Sequence, residues 1–576
     1  MRERARDLLS KEVGYVRKPH GGKLRVALAF PNTYFVGMSN LGLQTVYRLF
    51  NAEADIACER VFLPPKSELA AQLASGAPLV TIESQTPVAE FDVFAFSVSF
   101  EWDYTNVLTL LRLAGIPQRA DARNQHHPLV VIGGAVTFVN PEPLAPFADV
   151  IAAGEGEALI PSLLQAFKAA SDRDDLLRRL STERGFYVPS LYDVKYASDG
   201  TIAAFEPRPG TDAPRVVKKA ALKTTEAVDP PATSIFTPDT EFGSRFLVEV
   251  VRGCANLCRF CWAGYNYLPV RAFPKERILE LAHRAKPYSD RAGLVSIALC
   301  DHPDIEEILQ QLVAMGYSIS PASLRLDDLT PRILSLLRQS GERTVTIAPE
   351  TGSDRLRRVI NKTVTNDEIL AAAELIFASG MENLKLYYMI GLPTETDADL
   401  VAIRDLTLQL REVMLNHARS RGHVGRIVGS VNPLVPKPGT AYQWLPMESD
   451  SSIDRKIKRL RTLLAGIDNV YFNIKSERHS FYQALLSLGD RRVAPVIEAA
   501  ERNGGNWRAA VAETGVDADF FVFRDRSGDA VLPWDIIDGG MKESFFRAEF
   551  DKALRGEWTL PPKRQKENAR LLPVLQ

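Results

Sequence analysis

Three of the five cysteines of this chain fall within eight positions, in the run Arg252-Gly253-Cys254-Ala255-Asn256-Leu257-Cys258-Arg259-Phe260-Cys261-Trp262. Thiolates gathered on one short loop hold a metal ion or an iron–sulfur cluster. A structural zinc site closes four ligands around its metal, and no second Cys or His pair stands at finger or ribbon spacing. Iron–sulfur cubanes are normally held by four thiolates, so a cubane given three leaves one iron open to an outside ligand. A zinc loop and a plain electron-transfer centre are the alternatives. Cys58 and Cys300 stand apart and read as small core residues.

The elements around this loop must place it. Residues 245–251 are rich in β-branched and aromatic side chains and predict a buried strand, with the cysteines on the loop leaving its carboxyl end. Strand and helix patterns then alternate. Strands at 294–298, 318–326, 344–348, 383–390 and 427–433 are interleaved with helices at 304–315, 330–339, 367–379 and 397–413, which predicts a partial (β/α)6 barrel over 245–444. The strand ends carry polar or glycine-containing phrases, as a ligand-facing rim does: Cys300-Asp301-His302-Pro303, Ser323-Leu324-Arg325-Leu326-Asp327, Pro349-Glu350-Thr351-Gly352-Ser353 and Gly391-Leu392-Pro393-Thr394-Glu395.

Upstream, residues 21–170 predict an α/β unit of Rossmann-like, flavodoxin type: a parallel sheet with strands at 24–30, 93–99, 129–133 and 150–153 and helices on both faces. Its strand-end loops contain Phe30-Pro31-Asn32, Ser97-Val98-Ser99-Phe100-Glu101, Gly133-Gly134-Ala135 and Gly154-Glu155-Gly156-Glu157, while neither G-x-G-x-x-G nor a P-loop occurs here. Residues 1–20 form a charged arm and 171–244 a connector with a small hairpin over 185–205. Residues 445–576 form a mostly helical region with helices at 472–488 and 493–502 and a frayed end.

The C-x3-C-x2-C spacing, with Phe260 before the last cysteine, resembles the signature of the radical S-adenosylmethionine (SAM) superfamily. That resemblance implies a [4Fe-4S] cluster on Cys254, Cys258 and Cys261, SAM chelated at the open iron, and reductive cleavage to a 5′-deoxyadenosyl radical with electrons from an external flavodoxin- or ferredoxin-type donor. A-P-E-T-G-S and G-L-P-T-E-T are similar to the branch that includes the methylthiotransferases, the elongator-type enzymes and the cobalamin-dependent enzymes. On that reading Glu350 accepts from the SAM ribose hydroxyls, Arg325 pairs with the methionyl carboxylate, and Phe260, Gly391 and Leu392 cover the adenine. Bland alternatives stand beside them: Arg325 pairs with Asp327, Glu350 caps the next helix, and His302, beside Asp301, is structural rather than a proton carrier. Arg252, Arg259, Arg271, Lys275 and Arg277 read as a basic mouth or as solvated surface.

The amino-terminal loops, in their order, resemble the cobalamin-binding domain fused to many radical SAM enzymes. The resemblance places a corrinoid against Gly133 and Gly134, with Ser97 and Ser99 next. D-x-H-x-x-G is absent, so no protein histidine is expected below the cobalt. V-P-K-P-G-T, G-D-R-R and L-P-W-D-I-I-D resemble the B12-binding radical SAM proteins with an L-P-W-D-type carboxyl-terminal region, and Asp535 and Asp538 there are substrate contacts or helix caps. The expected reaction is cobalamin-dependent methylation of an unactivated carbon. A rearrangement or cyclisation, RNA modification without methyl transfer, and a non-catalytic iron–sulfur module are the alternatives. A second cysteine cluster, which sulfur insertion needs, is missing.

Composition bounds the rest. A chain of 576 residues calls for several domains, and 45% hydrophobic with 24% charged residues is a globular balance. The net charge of −1 argues against nucleic acid as a partner. No apolar run is long enough to span a bilayer, and an odd cysteine count without a disulfide framework fits a cytoplasmic setting.

Overall fold

The computed structural model describes residues 2–321, 324–326 and 329–560. Ser323, Asp327 and most of the carboxyl-terminal stretch expected to fray lie outside them.

The amino-terminal sheet contains β1 (Leu24–Thr33), β2 (Ile56–Leu63), β3 (Val93–Ser97), β4 (Leu129–Gly133), β5 (Val150–Ala152) and β6 (Phe186–Tyr187), in the order β2-β1-β3-β4-β5-β6. All neighbours are parallel except β5 and β6. Alternation along the strands feeds two cores. Ala27, Ala29, Phe94, Phe96, Val130 and Ile132 pack to one side, and Val26, Leu28, Val93, Ala95, Leu129 and Val131 to the other. The helices Leu41–Ala52 and Gly156–Ala169 cover the second side. The first is covered by Tyr104–Leu113 and by Ala494–Arg502 from the far end of the chain.

The sequence reading missed β2. Its Glu59 and Arg60 interrupt an otherwise apolar run and mimic a surface segment, yet both are buried. Arg60 is held between Glu12 (2.6 Å) and Glu83 (2.7 Å), and Glu59 meets His20 and the Thr81 and Ser84 hydroxyls. Only such pairing makes buried charge tolerable. The amino-terminal arm is therefore tied to the sheet: its helix Arg2–Ser10 buries Ala5 and Leu8, and Glu12 completes the pair.

The connector forms the antiparallel hairpin of β7 (Tyr192–Tyr196) and β8 (Ile202–Pro207), followed by β9 (Val217–Lys218). Beyond it, β10 (Phe246–Arg252) pairs antiparallel with β11 (Arg271–Ala272) and parallel with β12 (Arg291–Ser296), which pairs with β13 (Ser318–Pro321). A second sheet holds β14 (Thr344–Glu350), β15 (Asn383–Ile390), β16 (Ile427–Pro433) and β17 (Val470–Ile474), all parallel. The Leu324 N–H donates to the Thr346 carbonyl across the gap between the sheets. Six parallel strands answer the expected barrel, and β17 adds a seventh beyond residue 444. The helix expected from 472 starts at Glu477, because Val470-Tyr471-Phe472-Asn473-Ile474 finds a partner in β16.

The carboxyl-terminal helices pack on the sheet domain more than on the barrel. Glu501 accepts from the Thr109 hydroxyl, Glu498 pairs with Arg119, and Asn140 donates to the carbonyls of Ser487 and Gly489. This region, rather than the connector alone, holds the sheet domain over the barrel. The short β18 (Ile537–Asp538) pairs with β9. Among the described residues no helix is long and apolar enough to cross a membrane.

Candidate active site

The cysteine loop begins where β10 ends. Gly253 has φ +95°, and a Cβ there would lie 2.5 Å from the Tyr267 carbonyl oxygen, so the turn into Cys254 admits no side chain. Cys261 stands at the amino end of the helix Trp262–Asn266, and its N–H donates to the Cys258 carbonyl. Cys254 and Cys258 are buried and Cys261 is half-buried. Burial pushes the Cys258 thiol up to about 12 and raises the other two as well, because an apolar surrounding disfavours thiolate. The N–H groups of Asn256 and Gly264, which point at Cys254 and Cys261, act the other way.

The three sulfurs sense one another's charge. A structural zinc site closes four ligands around one atom, whereas a cubane gives each thiolate a different iron, so three thiols on one loop fit a cluster with one iron open. Among the described residues, the buried Asn256 Oδ1 and Trp262 Nε1 of the same loop have no hydrogen-bond partner.

A carboxylate and two cations face the thiols. Glu350 ends β14 with φ +64°, a left-handed conformation that costs a non-glycine residue about 1–3 kcal/mol and that clusters at functional sites. It accepts from Lys362 Nζ at 3.2 Å. Burial raises the Glu350 carboxyl's pKa, and Lys362 opposes that rise. Burial disfavours the Lys362 ammonium, but Glu350 and the Cys258 sulfur outweigh it and raise its pKa. Arg325 donates to Asp301 at 2.8 Å, and both act on Cys254. Next to Lys362, Asn361 (φ +54°) donates to the carbonyls of Leu257 and Thr559, tying the cysteine loop to the carboxyl-terminal segment.

Several sequence expectations change here. Glu350 caps no helix: Ser353 accepts from Leu356 N–H at the start of Asp354–Val359. Arg325 pairs with Asp301, and its alternative partner Asp327 lies outside the described residues. Phe260 and Leu392 meet in one apolar cluster with Leu356, Ile360 and Tyr442. The Gly391 N–H donates to Glu395 Oε2 at 2.8 Å. The basic mouth is neutralised. Arg252 pairs with Glu155, Glu157 and Glu249, Arg271 with Glu155, Arg259 with Glu549, Lys275 with Glu307 and Arg277 with Asp229. Asp535 accepts from the Leu532 N–H at the start of the short helical turn Pro533–Ile536, and Asp538 accepts from the Gly540 N–H in a turn rather than at a helix start.

His302 is buried, with Nε2 bonded to the Phe273 carbonyl at 2.8 Å and Nδ1 accepting from Asp304 N–H. Both nitrogens are engaged by backbone, and burial lowers its pKa. His302→Gln is expected to lower stability by about 1–2 kcal/mol and to leave the pH dependence of turnover unchanged. Chemical denaturation and a pH–rate profile check both.

Lys362 escaped the sequence reading because, near Arg355, Arg357 and Arg358, it looks like solvated surface. Only its return to Glu350 and the thiols distinguishes it.

A cavity of about 750 Å³ opens between the carboxyl edge of the sheet domain and the barrel face formed by β10 and β12. Ser97, Ser99, Gly133 and Gly134 line its sheet side, and Leu247, Glu249, Gly293 and Ser296 its barrel side. It lies at the β1/β3 reversal of strand order, where ligands of such sheets bind. From there a slot runs down between the sheet and the helices Leu41–Ala52 and Gly156–Ala169, past Thr45, Leu159 and Leu163. Gly134 has φ +101° and a Cβ there would strike the Val98 carbonyl at 2.3 Å, while Gly133 has room for a side chain that would enter the cavity. None of the lining residues is a histidine.

Comparison with known proteins gives two family matches, "Radical SAM proteins, N-terminal" over residues 42–189 and "Radical SAM superfamily" over residues 248–407. An uncharacterized protein of Methanocaldococcus jannaschii is 28% identical over 478 residues, 82% of this chain and 90% of that protein. A tRNA-2-methylthio-N(6)-dimethylallyladenosine synthase of Thermotoga petrophila is 21% identical over 45% of this chain, which spans 55% of the synthase. Among solved structures, the radical SAM methyltransferase TsrM of Kitasatospora setae, with cobalamin and [4Fe-4S] cluster bound, aligns with TM-score 0.47 and 12% identity, covering 86% of this chain and 99% of that one. The cobalamin-dependent SAM radical enzyme OxsB with aqua-cobalamin aligns with TM-score 0.45 and 14% identity, covering 67% of this chain and 52% of OxsB.

Proposed function

Because the chain belongs to the radical SAM superfamily, carrying both its amino-terminal and its central domain, we propose that it is an enzyme that cleaves SAM reductively and methylates an unactivated carbon with the help of a corrinoid. Cys254, Cys258 and Cys261 would hold a [4Fe-4S] cluster, and an external low-potential donor would reduce it. When bound, the cluster supplies the electron that breaks the sulfonium bond and the corrinoid supplies the methyl group.

The observation that carries this reading is the meeting of three thiols, two of them buried, with Glu350 and Lys362 at the carboxyl face of the barrel, beside an interdomain cavity with glycine-rich walls. Lys362 would pair with the methionyl carboxylate of SAM and Glu350 would accept from its ribose hydroxyls. Phe260 and Leu392 offer the apolar surface that adenine needs. Ser97, Ser99, Gly133 and Gly134 would hold the head of a corrinoid, and the slot beside Thr45 and Leu159 its tail, with no imidazole below the metal.

The test is anaerobic reconstitution with iron, sulfide and hydroxocobalamin, followed by reduction with SAM. One corrinoid per chain and release of 5′-deoxyadenosine are expected. Gly133→Leu, which fills the cavity, should weaken corrinoid binding at least about tenfold while leaving iron content unchanged. Iron and SAM cleavage without any corrinoid would leave a radical rearrangement or cyclisation as the reading.

A further inference from the structure

A second cavity, of about 460 Å³, lies against the strands β16 and β17 and the carboxyl end of the helix Asp450–Leu464. Ser430, Asn432, Asn473, Lys475 and Arg461 line it, and no carboxylate does. Around the cysteines this chain pairs its cations closely, Arg252, Arg271, Arg325 and Lys362 each with an acid. Here two cations face one cavity, and among the described residues neither Arg461 nor Lys475 takes part in an ion pair. In a protein of nearly balanced charge, two unpaired cations at one concave site create a local positive potential.

The chemistry of the lining is that of an oxyanion site. A guanidinium fork matches phosphate oxygens two at a time, an ammonium adds a point charge, and the two amides and the hydroxyl donate further hydrogen bonds.

We propose that this pocket binds a phosphate group, with Arg461 and Lys475 as its charged partners. Full-length reconstituted protein is titrated with inorganic phosphate and, separately, with acetate in a calorimeter, which needs no SAM turnover. Phosphate is expected to bind more tightly than acetate. Affinity should fall at least about tenfold in Arg461→Gln or Lys475→Gln and about 100-fold in the double variant. Both side chains are exposed, so circular dichroism should show an unchanged fold. No phosphate binding, equal affinity for acetate, or undiminished binding in the double variant overturns the proposal. Loss of SAM cleavage in the unmodified protein would overturn the earlier reading and leave this result standing.

Discussion

Replacing any one of Cys254, Cys258 and Cys261 with alanine will remove the iron–sulfur signal of the anaerobically reconstituted protein and reduce 5′-deoxyadenosine formation to background. A cubane held by only two thiolates has two open irons and is lost on reduction, and no other cysteine can substitute. Cys58 is buried in the core of the sheet domain, and Cys58→Ala should keep its full iron content. The measurements are iron and sulfide content, the electron paramagnetic resonance spectrum of the reduced protein, and chromatographic detection of 5′-deoxyadenosine. Zinc bound to the wild-type thiols under iron and sulfide, or undiminished SAM cleavage in Cys258→Ala, would sink the assignment. Alanine is preferred to serine because two of the three positions are buried and a hydroxyl there would be left without a partner.

Lys362→Ala is expected to raise the KM for SAM about 100-fold while the cluster stays intact. Truncating one partner of a buried charge pair costs about 2–5 kcal/mol, much of it from the charge left behind. Here the residue left behind is Glu350, already in a strained conformation and buried, with Lys362 as its ion-pair partner at 3.2 Å. Lys362→Arg should restore most of the affinity, because it keeps a cation within reach of both Glu350 and the methionyl carboxylate. Steady-state kinetics beside iron analysis separates the two roles. Loss of iron in Lys362→Ala would make the residue part of the cluster's support, and an unchanged KM would remove it from SAM binding.

The comparison of sequence and structure turns on particular residues. The cysteine loop, the apolar strands β1, β3, β4, β10 and β15 and the rim phrases after them were legible because each is a local pattern of spacing or period. What failed to show was everything that depended on a distant partner. Arg60 looked like surface until Glu12, 48 residues away, was brought against it. Arg271 and Arg259 suggested a positive mouth, yet they are answered by Glu155 and Glu549, 116 and 290 residues away. His302 looked available for proton transfer, but the Phe273 carbonyl, 29 residues back, occupies it.

The sequence by itself therefore determined the kind of chemistry and the kind of fold: three thiols for a cluster with one open iron, and two α/β units to hold it. Tertiary structure decided which charges remain to do work. Lys362 and Glu350 are turned toward the thiols, most of the expected basic mouth is neutralised, and Arg461 and Lys475, without an ion pair among the described residues, line a separate pocket. The reason is that a side chain's chemistry is written at its own position, while its electrostatic environment is set by groups that only the folded chain brings within a few ångströms.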